Sequence, residues 1–140
     1  MKQLKLSDFQ IDTEYVESIA NNLDLSHTEI TGITFEACEF KRIDFSHANL
    51  NRSKFIDCVF SDCNLSNLNL NYAVFNNVEF MECKLLGLNW TQAYWSNIAL
   101  PCTLKFFQCD LSHSSFFGLL ISEVVMHACK LHEVLSLIHI

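Results

Sequence analysis

Residues 35–65 read FEACEFKRIDFSHANLNRSKFIDCVFSDCNL, and every fifth residue of that stretch is large and apolar: Phe35, Phe40, Phe45, Leu50, Phe55, Phe60 and Leu65. The spacing continues outward in both directions without exception. It takes in Leu25 and Ile30 on one side and Leu70, Phe75, Phe80, Leu85, Trp90, Trp95 and Leu100 on the other. With 50% of the chain hydrophobic, a run of this length arises by chance about once in ten thousand trials.

A second periodicity accompanies the first. Two residues before each of these centres stand small or apolar residues, among them Ile33, Cys38, Ile43, Ala48, Ser53, Cys58, Cys63, Leu68, Ala73, Val78 and Cys83, with no charge and no amide. In an extended segment residues two apart point to one side, so the centre and the residue two before it face inward together. The residues between them face out. A repeat of five fits neither a helix at 3.6 residues per turn nor a flat strand at 2.0, so each pentamer is a short extended piece followed by a corner.

The number of corners per turn follows from sorting the centres by twenty. Phe35, Phe55, Phe75 and Trp95 then share one column, and Phe40, Phe60, Phe80 and Leu100 the next; Ile30, Leu50, Leu70 and Trp90 form a third, with Leu25, Phe45, Leu65 and Leu85 the fourth. Twenty residues make one coil of four sides, and coils stack at the strand spacing of roughly 4.8 Å.

The segments FSHANL, FSDCNL, LNYAVF and FQCDL resemble the A-(D/N)-L-x-x units of the pentapeptide-repeat proteins. The resemblance covers residues 23–132 and implies an all-β fold, a right-handed quadrilateral β-helix of about five to six coils. Fold alone does not assign function.

After Leu100 the centres resume at Phe106, Leu111, Phe116, Ile121, Met126 and Leu131, one residue out of phase. The extra residue falls near Pro101, the only proline, which cannot donate to a ladder; a bulge at a corner is expected at 101–105. The three glycines, Gly32, Gly87 and Gly118, each fall two after a centre, where a corner calls for positive φ. Residues 1–22 lie outside the repeat. There Asp12 is placed to cap a short helix bearing Tyr15, Val16, Ile19, Ala20 and Leu23, with Ile11 and Val16 as a staple, which would cover the first coil. Residues 133–140 form an apolar tail that folds over the last coil, pairs with a second chain or marks a shortened chain. The 140 residues read as a single domain, with neither a signal-peptide pattern nor a long apolar run, so a cytoplasmic location is expected.

Six of the seven cysteines are inward positions, in pairs twenty apart: Cys38 and Cys58, Cys63 and Cys83, Cys109 and Cys129. They read as free thiols packing as small hydrophobes, with Cys102, at the slip, more exposed. No Cys-x-x-Cys is present and no metal or other cofactor is expected. His27 and His47, twenty apart, should stack on the outer surface. Asn49, Asn69 and Asn89 should form a hydrogen-bonded ladder.

No phosphate loop, nucleophile elbow or metalloprotease motif occurs, and an interior filled by its own side chains leaves no room for a substrate, so no enzyme activity is expected. Function falls to the surface, whose formal charge of −7 disfavours direct nucleic-acid contact and favours a basic partner. The outward neighbours of the Phe40, Phe60 and Phe80 column include Glu39, Asp62, Glu79 and Glu82, with Asp57 at the preceding corner and Lys41 and Arg42 opposing. That acidic stripe is the candidate partner-binding site. Some members of the resembled family imitate B-form DNA, bind DNA gyrase or topoisomerase IV and protect them from quinolones. The resemblance therefore implies a type II topoisomerase as partner; separately, the unpaired strand edge and apolar tail of the last coil make homodimerisation through the C-terminal coil an expectation. The other reading is a structural or interaction scaffold with an unrelated partner.

Overall fold

The computed structural model describes residues 1–95, 103–117 and 123–135. Its strands are short and parallel: β1 (Lys2–Gln3), β2 (Glu14–Val16), β3 (Ser18–Asn21), β4 (Thr34–Glu36), β5 (Glu39–Lys41), β6 (Lys54–Ile56), β7 (Val59–Ser61), β8 (Val74–Asn76), β9 (Val78–Met81), β10 (Thr103–Phe107) and β11 (Glu123–His127). One side of the rod is the sheet β1-β3-β5-β7-β9-β10-β11 and the adjoining side the sheet β2-β4-β6-β8. Here they are called the long and the short sheet. The register is the expected twenty, with Phe35 paired to Phe55 and Phe55 to Phe75, and Phe40 to Phe60 and Phe60 to Phe80. The other two sides pair through single residues, Asp24–Asp44–Asn64–Lys84 on one and Glu29–Asn49–Asn69 on the other. The result is an all-β, right-handed quadrilateral β-helix.

Its interior is solid. Phe35, Phe40, Phe45, Phe55, Phe60, Phe80, Phe106 and Phe116 are fully buried. Rings of one column stack: Phe40 on Phe60 at 4.7 Å, Phe60 on Phe80 at 5.1 Å, Phe80 on Phe106 at 5.1 Å. Rings of neighbouring columns meet edge to face, as Phe35 does Phe40 at 5.1 Å and 83°.

The corners generalise what the glycines hinted. Among the described residues the position two after a centre has positive φ whether or not it is glycine, except Gln92 in the turn Trp90–Gln92; it includes Asp12, Glu17, Asn22, His27, Ala37, Arg42, His47, Arg52, Asp57, Asp62, Asn67, Tyr72, Asn77 and Glu82 at 48–59°. Gly32 and Gly87 share the conformation at 70° and 67°. Gly32→Ala would meet the Asp12 carboxylate in the left-handed region, and is expected to lower the melting free energy by about 1–2 kcal/mol. Equal melting of parent and variant would show that this corner relaxes freely. On the two sides without strands, an Asp or Asn before the centre accepts the amide two residues on: Asp44 from Ser46, Asn49 from Asn51, Asn64 from Ser66, Asn69 from Asn71, Asn89 from Thr91. These Asx turns explain the D/N of the repeat. Asn49, Asn69 and Asn89 thus brace their own corners and do not bond one another; between coils, Asn49 donates to Glu29 at 3.0 Å.

Two expectations are corrected. No helix starts at Asp12: residues 14–21 carry β2 and β3, and the longest helical pieces among the described residues are the three-residue 3₁₀ turns Leu6–Asp8 and Trp90–Gln92. Tyr15 and Ala20 prolong the five-residue spacing, and pairing onto β4 and β5 satisfies their backbone, whereas a ten-residue helix must first nucleate. The first coil is covered instead by Leu4 and Phe9, both buried, with Phe9 packed on Tyr15 and Phe35.

The second correction concerns the slip. Phe106, not Leu100, pairs with Phe80. That coil advances twenty-six residues in place of twenty, so the excess is a whole pentamer plus one, of which phase arithmetic sees only the one. Leu100, Pro101 and Cys102 lie outside the described residues, as do Gly118, Ile121 and the tail from 136. Leu131 and Leu135 on the last coil are exposed.

Candidate functional site

The corner where the short sheet turns into the long sheet is built from three outward columns: Val16, Glu36, Ile56 and Asn76; Glu17, Ala37, Asp57 and Asn77; Ile19, Glu39, Val59 and Glu79. Glu17, Glu36, Glu39, Asp57 and Glu79 converge there on four successive coils, and all but Glu79 are exposed. Over these four coils the columns hold no lysine or arginine, and Lys105 continues the Glu79 column on the next coil. Asn77 donates to Asp57 at 2.8 Å, and Lys105 reaches Glu79 at 3.9 Å from the next coil.

The five carboxylates of the expected stripe are therefore divided. Glu39, Asp57 and Glu79 belong to this corner. Asp62 and Glu82 occupy the far corner of the long sheet, in the column Asn22, Arg42, Asp62, Glu82, where Arg42 donates to Asn22 at 2.9 Å and Asn21 at 3.0 Å. Between the two acidic rows, the long sheet presents Lys41, Ser61 and Met81. Sequence reasoning missed Glu17 and Glu36. Glu17 is hidden from a reading that puts residues 1–22 outside the repeat and starts a short helix at Asp12. Glu36 belongs to the neighbouring side, and only folding the two columns around their shared corner brings it beside Glu39.

The cysteines belong to the core. Cys38, Cys58, Cys63, Cys83 and Cys109 are free and buried, and Cys129 is half-buried. Each thiol sits 3.3–3.5 Å from a carbonyl of the preceding coil, as Cys58 from Phe35, Cys83 from Phe60 and Cys109 from Phe80. The twenty-six-residue coil brings Cys109 beside Cys83, which joins two expected pairs into one column. Bonding to the Cys38 thiol, and then burial, push the Cys58 thiol up; Cys109, Cys63 and burial do the same for Cys83. Raised thiols react slowly. Denatured protein should take up seven equivalents of a thiol reagent, and native protein should label at Cys129 well before Cys58 or Cys83. Prompt native labelling of Cys58 would refute the inward assignment.

His27 and His47 stack at 4.9 Å with planes 4° apart, as the spacing implied. Hydrogen bonds from Ser26 and Ser112 hold the carboxyls of Asp24 and Asp110 below their ordinary range. Among the described residues, no group of three or more histidine, cysteine or carboxylate side chains is arranged to hold a metal ion. No helix in the described residues is long and apolar enough to cross a membrane.

Comparison with known proteins agrees with this architecture. No curated protein sequence matches the chain. Among solved structures, QnrB1, a plasmid-mediated fluoroquinolone resistance protein, superposes with a TM-score of 0.56 at 17% identity, over 95% of this chain and 67% of that one. The pentapeptide repeat protein Rfr23 from the cyanobacterium Cyanothece 51142 superposes at 0.54 and 12% identity, over 87% and 86% of the two chains. At these identities the likeness is one of fold. A sequence profile of the pentapeptide repeat region matches residues 33–105, more than half of the chain, and with the four-sided coil, the stacked phenylalanines and the Asx corners this makes it a member of the pentapeptide-repeat family.

Proposed function

We propose that this protein is a non-enzymatic, cytoplasmic binder of a type II topoisomerase, DNA gyrase or topoisomerase IV, which it modulates or protects from quinolones by presenting carboxylates in place of phosphates. The observation that carries the reading is the spacing of charge along the acidic corner. Five carboxylates, from Glu17 to Glu79, rise over three coil steps, roughly 14 Å at ~4.8 Å per coil. That is one charge per about 3 Å, close to the ~3.4 Å of axis per phosphate in one DNA strand. Asp62 and Glu82, across the long sheet, supply a second, sparser row. The shared fold with a fluoroquinolone resistance protein supports the choice of partner.

Gyrase supercoiling, measured with and without a quinolone over a titration of the protein, tests the reading. A shift in the quinolone concentration needed for inhibition, or direct inhibition of supercoiling, is the expected result. No effect on either enzyme would leave the scaffold reading in its place; the cations Lys41 and Arg42 at the edge of the acidic rows favour that alternative.

The outer edge of β11 has no strand partner among the described residues, and Leu131 and Leu135 are exposed beside it. Association of two copies through this end is the expected use of an open edge. Light scattering should report a dimer for the intact chain and a monomer for one ending at Glu133; a monomer in both would exclude this association.

A further inference from the structure

The next corner around the rod, where the side of Ile30, Leu50 and Leu70 turns into the short sheet, has the opposite character. Its corner column runs Gly32, Arg52, Tyr72, and its first sheet column Thr34, Lys54, Val74. Arg52 donates its amide to Asn71 and Tyr72 to Gln92, while Tyr94 donates to Ala73. These bonds set Tyr72 on the coil after Arg52, and Tyr94 on the coil after Val74. Tyr72 is 69% exposed and Tyr94 58% exposed. Arg52 and Lys54 are exposed as well, and no carboxylate of the described residues forms an ion pair with either. The nearest acids on these columns, Asp12 and Glu14, stay at the N-terminal end.

Two unpaired cations beside two exposed phenols are unusual on a chain of net charge −7. Single exposed aromatics need no explanation, but tyrosine and arginine grouped on a rigid surface are the residue types that carry binding energy at protein interfaces. Arg52 and Lys54 lie two residues apart on one coil, which is roughly 7 Å, a reach that one or two carboxylates fill. A polyphosphate chain is disfavoured, because Glu36 and Asp57 border the same sheet and would repel its dense charge.

We propose that this corner is a second interaction surface, for an acidic polypeptide segment of a partner protein. Its carboxylates pair with Arg52 and Lys54, and an adjacent apolar side chain lies against Tyr72 and Tyr94. The surface is independent of the topoisomerase reading, which uses carboxylates of the neighbouring corner.

A phage-displayed library of random peptides of about twelve residues, selected on the full chain and counter-selected on the variant R52E/K54E/Y72A, tests the proposal. All three side chains are exposed, so the variant should keep the parent's circular dichroism and melting point. Enrichment of peptides with Asp or Glu next to aromatic or aliphatic residues is expected. A synthetic copy of the best peptide should bind the parent at least about ten-fold more tightly than the variant, weaken with salt, and bind a Glu39→Lys protein as it does the parent. Basic consensus sequences, or enriched peptides that bind parent and variant alike, would overturn it. So would an oligothymidylate that binds the parent more tightly than any selected peptide and loses binding in the variant, since the surface would then be a stacking platform for single-stranded nucleic acid.

Discussion

Phe60→Ala is expected to lower the unfolding free energy by about 3–5 kcal/mol, a large share of what a domain of this size possesses. Phe60 is 1% exposed. It lies between Phe40 at 4.7 Å and Phe80 at 5.1 Å in its own column, with Phe55 at 5.4 Å and Phe45 at 5.9 Å beside it. Collapse into the vacancy is blocked because each neighbour is fixed by the ladder of its own coil, so the truncation forfeits ring contacts as well as burial. The outward Asn71→Ala is the control, and should cost about 0.5 kcal/mol or less, because the turn there is made by the Asn71 backbone amide and the Asn69 side chain and is kept. Chemical denaturation of the three proteins gives the comparison. Similar losses at the two positions would mean that the stacked column does not carry the stability of the rod.

The second large effect concerns the acidic corner. Reversing Glu17, Glu36, Glu39 and Asp57 together to lysine should weaken topoisomerase binding by at least about a hundred-fold, or ~2.7 kcal/mol. All four are exposed, so the melting point should stay within a few degrees of the parent. Reversing Asp62 and Glu82 should weaken binding less. Reversal of Asp24 and Asp44, on the side away from the short sheet, should matter least. Binding of the parent should fall as salt rises, and duplex DNA should compete. If the quadruple variant acts on gyrase as the parent does, the corner is solvated surface and the contact lies elsewhere.

The coil, its four sides and its filling could be read from Leu25 to Trp90 because a five-residue period admits few backbones and because inward positions tolerate no charge. What escaped the reading depended on absolute register. Phe106 keeps the phase of a one-residue slip, yet its pairing with Phe80 reveals six added residues, and no count modulo five can tell these apart. Glu17 escaped because Tyr15, Ile19 and Leu23 also satisfy helical spacing; the open edge of β4 and β5 decided for strand. The acidic corner itself was half legible. Three of its carboxylates were found along one side, but the edge joins two sides, and linear columns do not show which columns meet at a corner.

Eighteen non-glycine residues among those described hold positive φ, a conformation that disfavours each by roughly 1–2 kcal/mol. Locally, then, each of these non-glycine corners prefers to straighten, and a lone coil has no neighbour on which to stack its rings or close its ladder. Only a neighbour above and below supplies the opposing ring stacking and ladder bonds. A folding nucleus is accordingly expected to join neighbouring coils, through contacts between segments about twenty residues apart. Such a nucleus forms slowly. Once formed it grows coil by coil, and melting should begin at the ends, where the last coil leaves Leu131 and Leu135 exposed, while the phenylalanine stack at mid-rod exchanges its amide protons last.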